Sequence, residues 1–324
     1  MIEGMLRGGA VLGLGSAALW GGGDFSGGMG VKRAGGGIGA ALRIVLLSHA
    51  SSFLALLLIE RVRHDAFPHG ALLAWGLAAG VAGGLSLTTF YTALSRGAMG
   101  ASAAVSGLLA AAIPSAVGML QQGSPGIRAI VGFAIAAAAI WLIAAGEAVH
   151  GVETAEEAAH DHELAAAARQ NAALRAERRA SARQTMLLAV LAGAGFGVYF
   201  ICLKMANPAG VVWPMATARM GSLTICGLML LGRTLRQWDR EDTKVRITRT
   251  AVGWALATAL LDTSGNLMFV AATRAGRLDV ASVLASLYPA STILLAALTL
   301  GERPTKRQAT GMIAAAVAVV MIAM

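Results

Sequence analysis

Charge is scarce in this chain. Of its 324 residues only 13% are Asp, Glu, Lys or Arg, about half the share of a soluble domain. So few polar groups cannot cover the surface of a water-soluble fold of this size. An ordinary cytosolic enzyme and a disordered chain are thereby excluded. Cysteine is nearly absent, with only Cys202 and Cys226. Both fall inside apolar stretches and read as small buried side chains, not as a disulfide scaffold or a metal site. The sequence has no Walker-type phosphate loop, so direct ATP drive is not expected. No cluster of His, Asp or Cys at catalytic spacing lies within the apolar runs, which argues against a membrane enzyme.

What the chain has is apolar length. Hydrophobic residues make up 56%, glycine contributes 41 residues, and mean hydropathy is +0.67. This is the composition of an all-α integral membrane protein. Lipid offers the backbone no partners, so each spanning run must be a helix of about 20 residues. Ten runs qualify, near 9–31, 38–59, 71–95, 101–121, 127–147, 185–206, 211–232, 250–273, 279–300 and 306–324. The first, from about Gly8, is too long for a cleaved signal sequence and is expected to stay as a span. The runs divide the chain into a first half (1–147), a charged linker (148–184) and a second half (185–324).

The linker opens acidic, with Glu153, Glu156, Glu157, Asp161 and Glu163, and closes basic, with Arg175, Arg178, Arg179 and Arg183. That polarity suits a helix dipole, so a solvent-exposed helix is expected. His150, His160 and His162 read as solvated side chains on it. The net charge of +9 is an orientation signal and not a nucleic-acid signal. By this division of the chain, 17 Lys and Arg residues fall on the linker's side and six on the other. The excess places the linker in the cytoplasm and both termini outside, in the plasma (inner) membrane.

The halves repeat one another. Ala41-Leu42-Arg43 returns as Thr217-Ala218-Arg219, 176 residues later. Trp20-Gly21 returns as Phe196-Gly197, and Arg96 closes its span as Arg274 does. Pro125 and Gly132 match Pro304 and Gly311. Five spans per half is an odd number, so the second copy must be inverted in the membrane. Inverted repeats are a recurrent feature of secondary transporters, where the substrate site lies at the repeat interface near the midplane.

The second half reads Phe269-Val270-Ala271-Ala272, then Ser286-Leu287-Tyr288-Pro289, Gly301-Glu302-Arg303, Gln308 and Gly311. The first half gives Trp20-Gly21, Arg43, Tyr91-Thr92-Ala93-Leu94 and Pro114 in matching order, and Lys204 stands eight residues after Phe196. In order, spacing and duplication this resembles the EamA family of the drug/metabolite transporter superfamily. The resemblance covers about 9–147 and 185–322 but not the linker. It implies a fold of ten transmembrane helices in two inverted five-helix repeats. The chain departs from the pattern at Gln122-Gly123, which stands opposite Gly301-Glu302, and at Gly28, where the Lys204 pattern would put a lysine.

A charged group inside a span costs about 2.5–3.5 kcal/mol on insertion scales, so each needs a reason. Asp262 lies deepest, with Asn266 one turn later on the same face. The pair either lines a polar cavity or makes a structural hydrogen bond. Asp24 follows three glycines, which either allow local unwinding or close helix packing; it could also pair with Arg43. Arg43 and Arg219 are each candidates to grip a substrate carboxylate or phosphate, or to act as interfacial anchors. Lys204, nearer its helix end, reads as a snorkelling side chain or a substrate contact. Tyr91, Tyr199, Trp20 and Trp213 are amphipathic surfaces of the kind found at span ends. Tyr288, beside Pro289, sits mid-span and could aim a hydroxyl into the cavity. His49 reads as a satisfied core histidine.

These features lead to a secondary active transporter exporting a small polar metabolite, such as an amino acid or related carboxylate, by alternating access. Asp24 or Asp262 would bind and release the coupling proton. The alternatives are a facilitative exchanger or uptake carrier for a sugar-like metabolite, and a non-transporting membrane scaffold. The expected partners are the small-molecule substrate, protons, the lipid bilayer and a second copy in a homodimer. No cofactor, metal or nucleic acid is expected.

Overall fold

A computed structural model describes residues 2–96, 99–148, 164–235, 245–300 and 305–323. The acidic part of the linker, its three histidines and the Gly301-Glu302-Arg303 motif lie outside the described residues. Within them the chain is helical, without strands. The first half contains α1 (Ile2–Arg33), α2 (Gly37–Arg63), α3 (Ala71–Arg96), α4 (Met99–Gln122) and α5 (Ile127–Ala148). The second contains α6 (Leu164–Ala206), α7 (Val212–Leu235), α8 (Arg249–Ala275), α9 (Leu278–Ala285), α10 (Tyr288–Leu300) and α11 (Lys306–Ala323).

Six of these helices are long and apolar enough to cross a membrane: α2, α3, most of α4, the part of α6 from Arg183, α7 and α8. A shorter apolar helix, Ile127–Leu142, lies within α5. The ten runs counted from sequence therefore exceed the helices that meet the criterion individually. In α1 the glycines and Asp24 dilute the hydropathy. The ninth run is not one helix but two, because the chain breaks between Ala285 and Tyr288. Pro289 lacks the N–H that would bond back one turn, and its ring collides with the preceding turn. Ser286 and Leu287 instead end α9 by bonding to Ser282 and Leu284 carbonyls.

Local chemistry sets the helix ends. Gly35, Gly36 and Gly37 take φ of 108°, 78° and 74° and turn the chain between α1 and α2, conformations open mainly to glycine. His64 closes α2 in the left-handed region, its N–H bonded to Glu60 O at 2.8 Å. Thr248 caps α8 by accepting from Ala251 N at 3.1 Å. Thr305 and Gln308 cap α11 reciprocally, a capping box. At the start of α9 the buried Asp279 accepts from Val280 N and from Arg277, which also donates to Gln122 O and Gly123 O at the end of α4. At 43 residues and 1.5 Å per residue, α6 is about 65 Å long, roughly twice a bilayer core. Its first half carries the linker's arginines, and its second is the apolar stretch from Arg183.

Helices of the two halves interdigitate. α1 packs along α8, α3 along α6 and α7, α4 along α6, α2 on α7, and α5 on α11. Leu58, Leu120 and Leu298 are 70%, 86% and 75% exposed, an outer surface suited to lipid. Between helices lipid supplies no hydrophobic drive, so close packing of small residues must hold the bundle. The α3–α7 crossing shows how close. A methyl group added at Gly80 would lie 2.0 Å from Ala218 O, and one at Gly221 would lie 2.2 Å from Leu77 O. Both obstacles are backbone and cannot swing away. Gly80→Val is therefore expected to destabilise the folded state by about 3 kcal/mol or more. Detergent-titrated unfolding checks this, with Gly227→Val, which has open space at its Cβ, as the neutral comparison.

Candidate functional site

The charged residues meet where α1 crosses α8. A methyl group on Gly21 would strike Ser291 and the Tyr288 carbonyl, and one on Gly23 would press on the Asp262 backbone at 3.2 Å. Glycine at 23 thus lets α1 approach α8 and sets Asp24 beside Asp262, while glycine at 21 lets α1 approach the start of α10. α1 runs unbroken through this motif, so the glycines serve close packing and the helix is not unwound.

A hydrogen-bonded chain then crosses the bundle. Arg219 of α7 donates to Asp262 Oδ2 at 2.5 Å and to Thr263 Oγ1 at 2.9 Å, both from Nη2. Its Nη1 lies 2.7 Å from His49 Nε2 on α2. A guanidinium can only donate, so Nε2 accepts, and the His49 proton resides on Nδ1. That Nδ1–H donates to Ser222 Oγ at 2.6 Å. On the other side Asn266 donates to Asp262 Oδ1 at 3.0 Å, and the Tyr199 hydroxyl donates to Asn266 Oδ1 at 2.6 Å. One chain of bonds therefore joins α2, α7, α8 and α6. Arg219 is 4% exposed and Asp262 13%, so the pair is opened to the interior hollow mainly through the carboxylate.

That hollow lies among α1, α2, α3, α4, α6, α7, α8 and the start of α10 and has a volume of about 40 Å³, room for a few water molecules. Asp24, Asp262, Arg219 and His49 face it together with rings of Trp20, Phe196, Tyr199, Phe200 and Tyr288. Trp20 and Phe200 stack at 5.1 Å with planes 5° apart, and Phe269 backs both. The Tyr288 hydroxyl donates to Ala103 O at 3.2 Å. Asp24 makes no hydrogen bond or ion pair among the described residues.

Of the residues singled out by sequence, Asp24, Arg219, Asp262, Asn266 and Tyr288 come together here. Arg43, Tyr91 and Lys204 do not line the hollow. Arg43 is half-buried and donates to Gly39 O at 3.4 Å, one turn back on α2. Asp24 is not its ion-pair partner. Tyr91 lies fully buried under Gly27, its hydroxyl without a hydrogen-bond partner among the described residues. Lys204 Nζ donates to Thr273 O at the end of α8, beside Asn207 and Arg274, which tie the ends of α6 and α8 together. His49, Ser222, Thr263 and Tyr199 were not singled out for the site. One signal was available: Arg219 and Ser222, at i and i+3, put two polar groups on one face of an apolar helix.

Breaking the central pair should be costly. Arg219→Met leaves Asp262 without its counter-charge, a change expected to remove about 3–5 kcal/mol of stability. Adding Asp262→Asn to Arg219→Met should restore most of that loss. A double-mutant cycle of unfolding in detergent checks it; additive losses would show that the two groups are not coupled.

Residues 183–324 match the model of the EamA-like transporter family. No curated protein matches the chain. A solved structure described only as a crystal structure of a protein is similar in fold, with a TM-score of 0.64 at 12% identity over 97% of this chain and 95% of that one.

Proposed function

We propose that this chain, whose residues 183–324 match the EamA-like transporter family, is a secondary transporter for a small polar metabolite. The observation that carries this reading is the ionic chain Asp262–Arg219–His49 facing a hollow between helices of both halves. A scaffold has no use for four ionisable groups around a hollow inside a bundle, where each is expensive.

In this reading the chain forms ten spans as two inverted repeats, with α9 and α10 together making the ninth. The helix pairings support it. If each of the first five spans matches the one five later, α1 on α8 and α3 on α6 are one contact made twice. The pairs α2–α7 and α5–α11 each match themselves. Such a pseudo-two-fold places two equivalent ways of opening the hollow on opposite membrane faces. The excess of Lys and Arg supports a cytoplasmic linker in the plasma membrane. In the same reading the direction is outward.

Coupling follows from chemistry at the hollow. Asp262 holds Arg219 in place. Protonating Asp24 or Asp262 removes one of the two negative charges there and shifts the balance between the two openings, which is how a proton gradient drives a second solute. Asp262→Asn should cut gradient-driven flux of polar metabolites into proteoliposomes by at least about tenfold, a 1.4 kcal/mol change in coupling, while the protein still elutes as a folded species. Wild-type coupling in that variant, or no flux of any polar solute through the wild type, would overturn the reading.

A further inference from the structure

The hollow has two carboxylates and one guanidinium, with His49 held neutral by its hydrogen bonds. With both carboxylates ionised its net charge is negative by one. The guanidinium is also largely committed. Nη1 is engaged by His49 and Nη2 by Asp262 and Thr263, and Nε is buried where no partner reaches it. Three of the five Arg219 N–H groups are taken and Nε–H is buried, so an entering carboxylate would find one Nη1–H and would face Asp24 directly. Asp262 is equally occupied, one oxygen by Arg219 and the other by Asn266. Asp24 is the exception. It faces the hollow and has neither a hydrogen bond nor an ion pair among the described residues.

We infer that Asp24 is the receptor for the protonated amino group of an organic amine, and that Arg219 positions Asp262 without touching the cargo. A carboxylate stripped of water needs N–H or O–H donors on its lone pairs, and an ammonium supplies up to three. A quaternary ammonium supplies none, so a primary or secondary amine is the fitting class. Trp20 stands one turn before Asp24 on the same face of α1, and Tyr288 and Phe200 face the same hollow. Aromatic rings around a carboxylate attract a cation through their negative faces. With a volume of about 40 Å³, the hollow takes the amino head in place of a few waters. The inference rests on the transporter reading of this hollow and narrows its cargo.

The test uses the full chain purified in detergent. Phenethylamine, tyramine and putrescine are titrated against thermal unfolding, beside 3-phenylpropionate as the isosteric anion and trimethylphenethylammonium as the donor-free cation. The primary amines should stabilise the wild type at lower concentrations than either comparison compound. In Asp24→Asn the half-saturating concentration should rise about tenfold or more, the loss of one charge-assisted hydrogen bond. Asp24→Glu should keep part of the effect, and this arm decides the matter if Asp24→Asn does not fold. Equal stabilisation by 3-phenylpropionate, unchanged amine affinity in Asp24→Asn, or no response to any of the three amines would overturn the inference. Flux assays in proteoliposomes separate the two levels. Polar-solute flux with no amine preference removes the amine assignment alone, whereas amine binding with no flux of any amine removes the transporter reading.

Discussion

The bundle is organised around one ion pair in a place where ion pairs are expensive. Arg219 and Asp262 meet at 2.5 Å in the middle of apolar helices. Taking both charges out of water carries a penalty of several kcal/mol per ion, and their attraction offsets it only if the remaining donors and acceptors are also satisfied. That condition recruits the neighbours. His49 and Thr263 take two more of the guanidinium hydrogens, Asn266 takes the second carboxylate oxygen, and Ser222 and Tyr199 complete the ends. Four helices drawn from both halves are thereby held in register by polar chemistry.

Small residues make that chemistry reachable. The α3–α7 crossing needs glycine at 80 and 221, the α1–α8 crossing needs it at 23, and the approach of α1 to α10 needs it at 21. Without these close approaches the helices would stand farther apart, and a bond of 2.5 Å could not span the gap. Backbone proximity and the buried network are two sides of one constraint. The same constraint leaves a hollow, because side chains committed to each other cannot also fill the space beside Asp24. A protein that must later open along this seam gains from an interior held by a few exchangeable polar bonds. A uniformly packed apolar core would offer no such seam.

Much of this was legible in the chain. Asp262 and Asn266 announced a polar face by their spacing, and Asp24 by its depth among glycines. Tyr288 was marked by Pro289 and lines the hollow, but its hydroxyl donates to Ala103 O on α4. Other parts were not legible, because they depend on how distant helices cross. His49 meets Arg219 across 170 residues and Ser222 across 173, and no local pattern encodes those pairings. Arg43 and Arg219 look equivalent in sequence, yet one grips the central carboxylate and the other bonds one turn back along its own helix. Duplication carried the residue type into both halves but not its partners. Lys204 likewise found a backbone carbonyl at a helix end. The two choices left open at Gly21–Gly23 were settled by the continuity of α1, which no composition argument could decide.

The central claim is that the hollow opens in turn to each side of the membrane. Phe196 borders it and is half-buried. The direct measurement is labelling of Phe196→Cys, in a chain with Cys202 and Cys226 replaced by serine, using a membrane-impermeant thiol reagent applied separately to each face of sealed vesicles. Alternating access predicts labelling from both faces, with a pH gradient raising one rate while lowering the other. Labelling from one face only, or from neither, would contradict it.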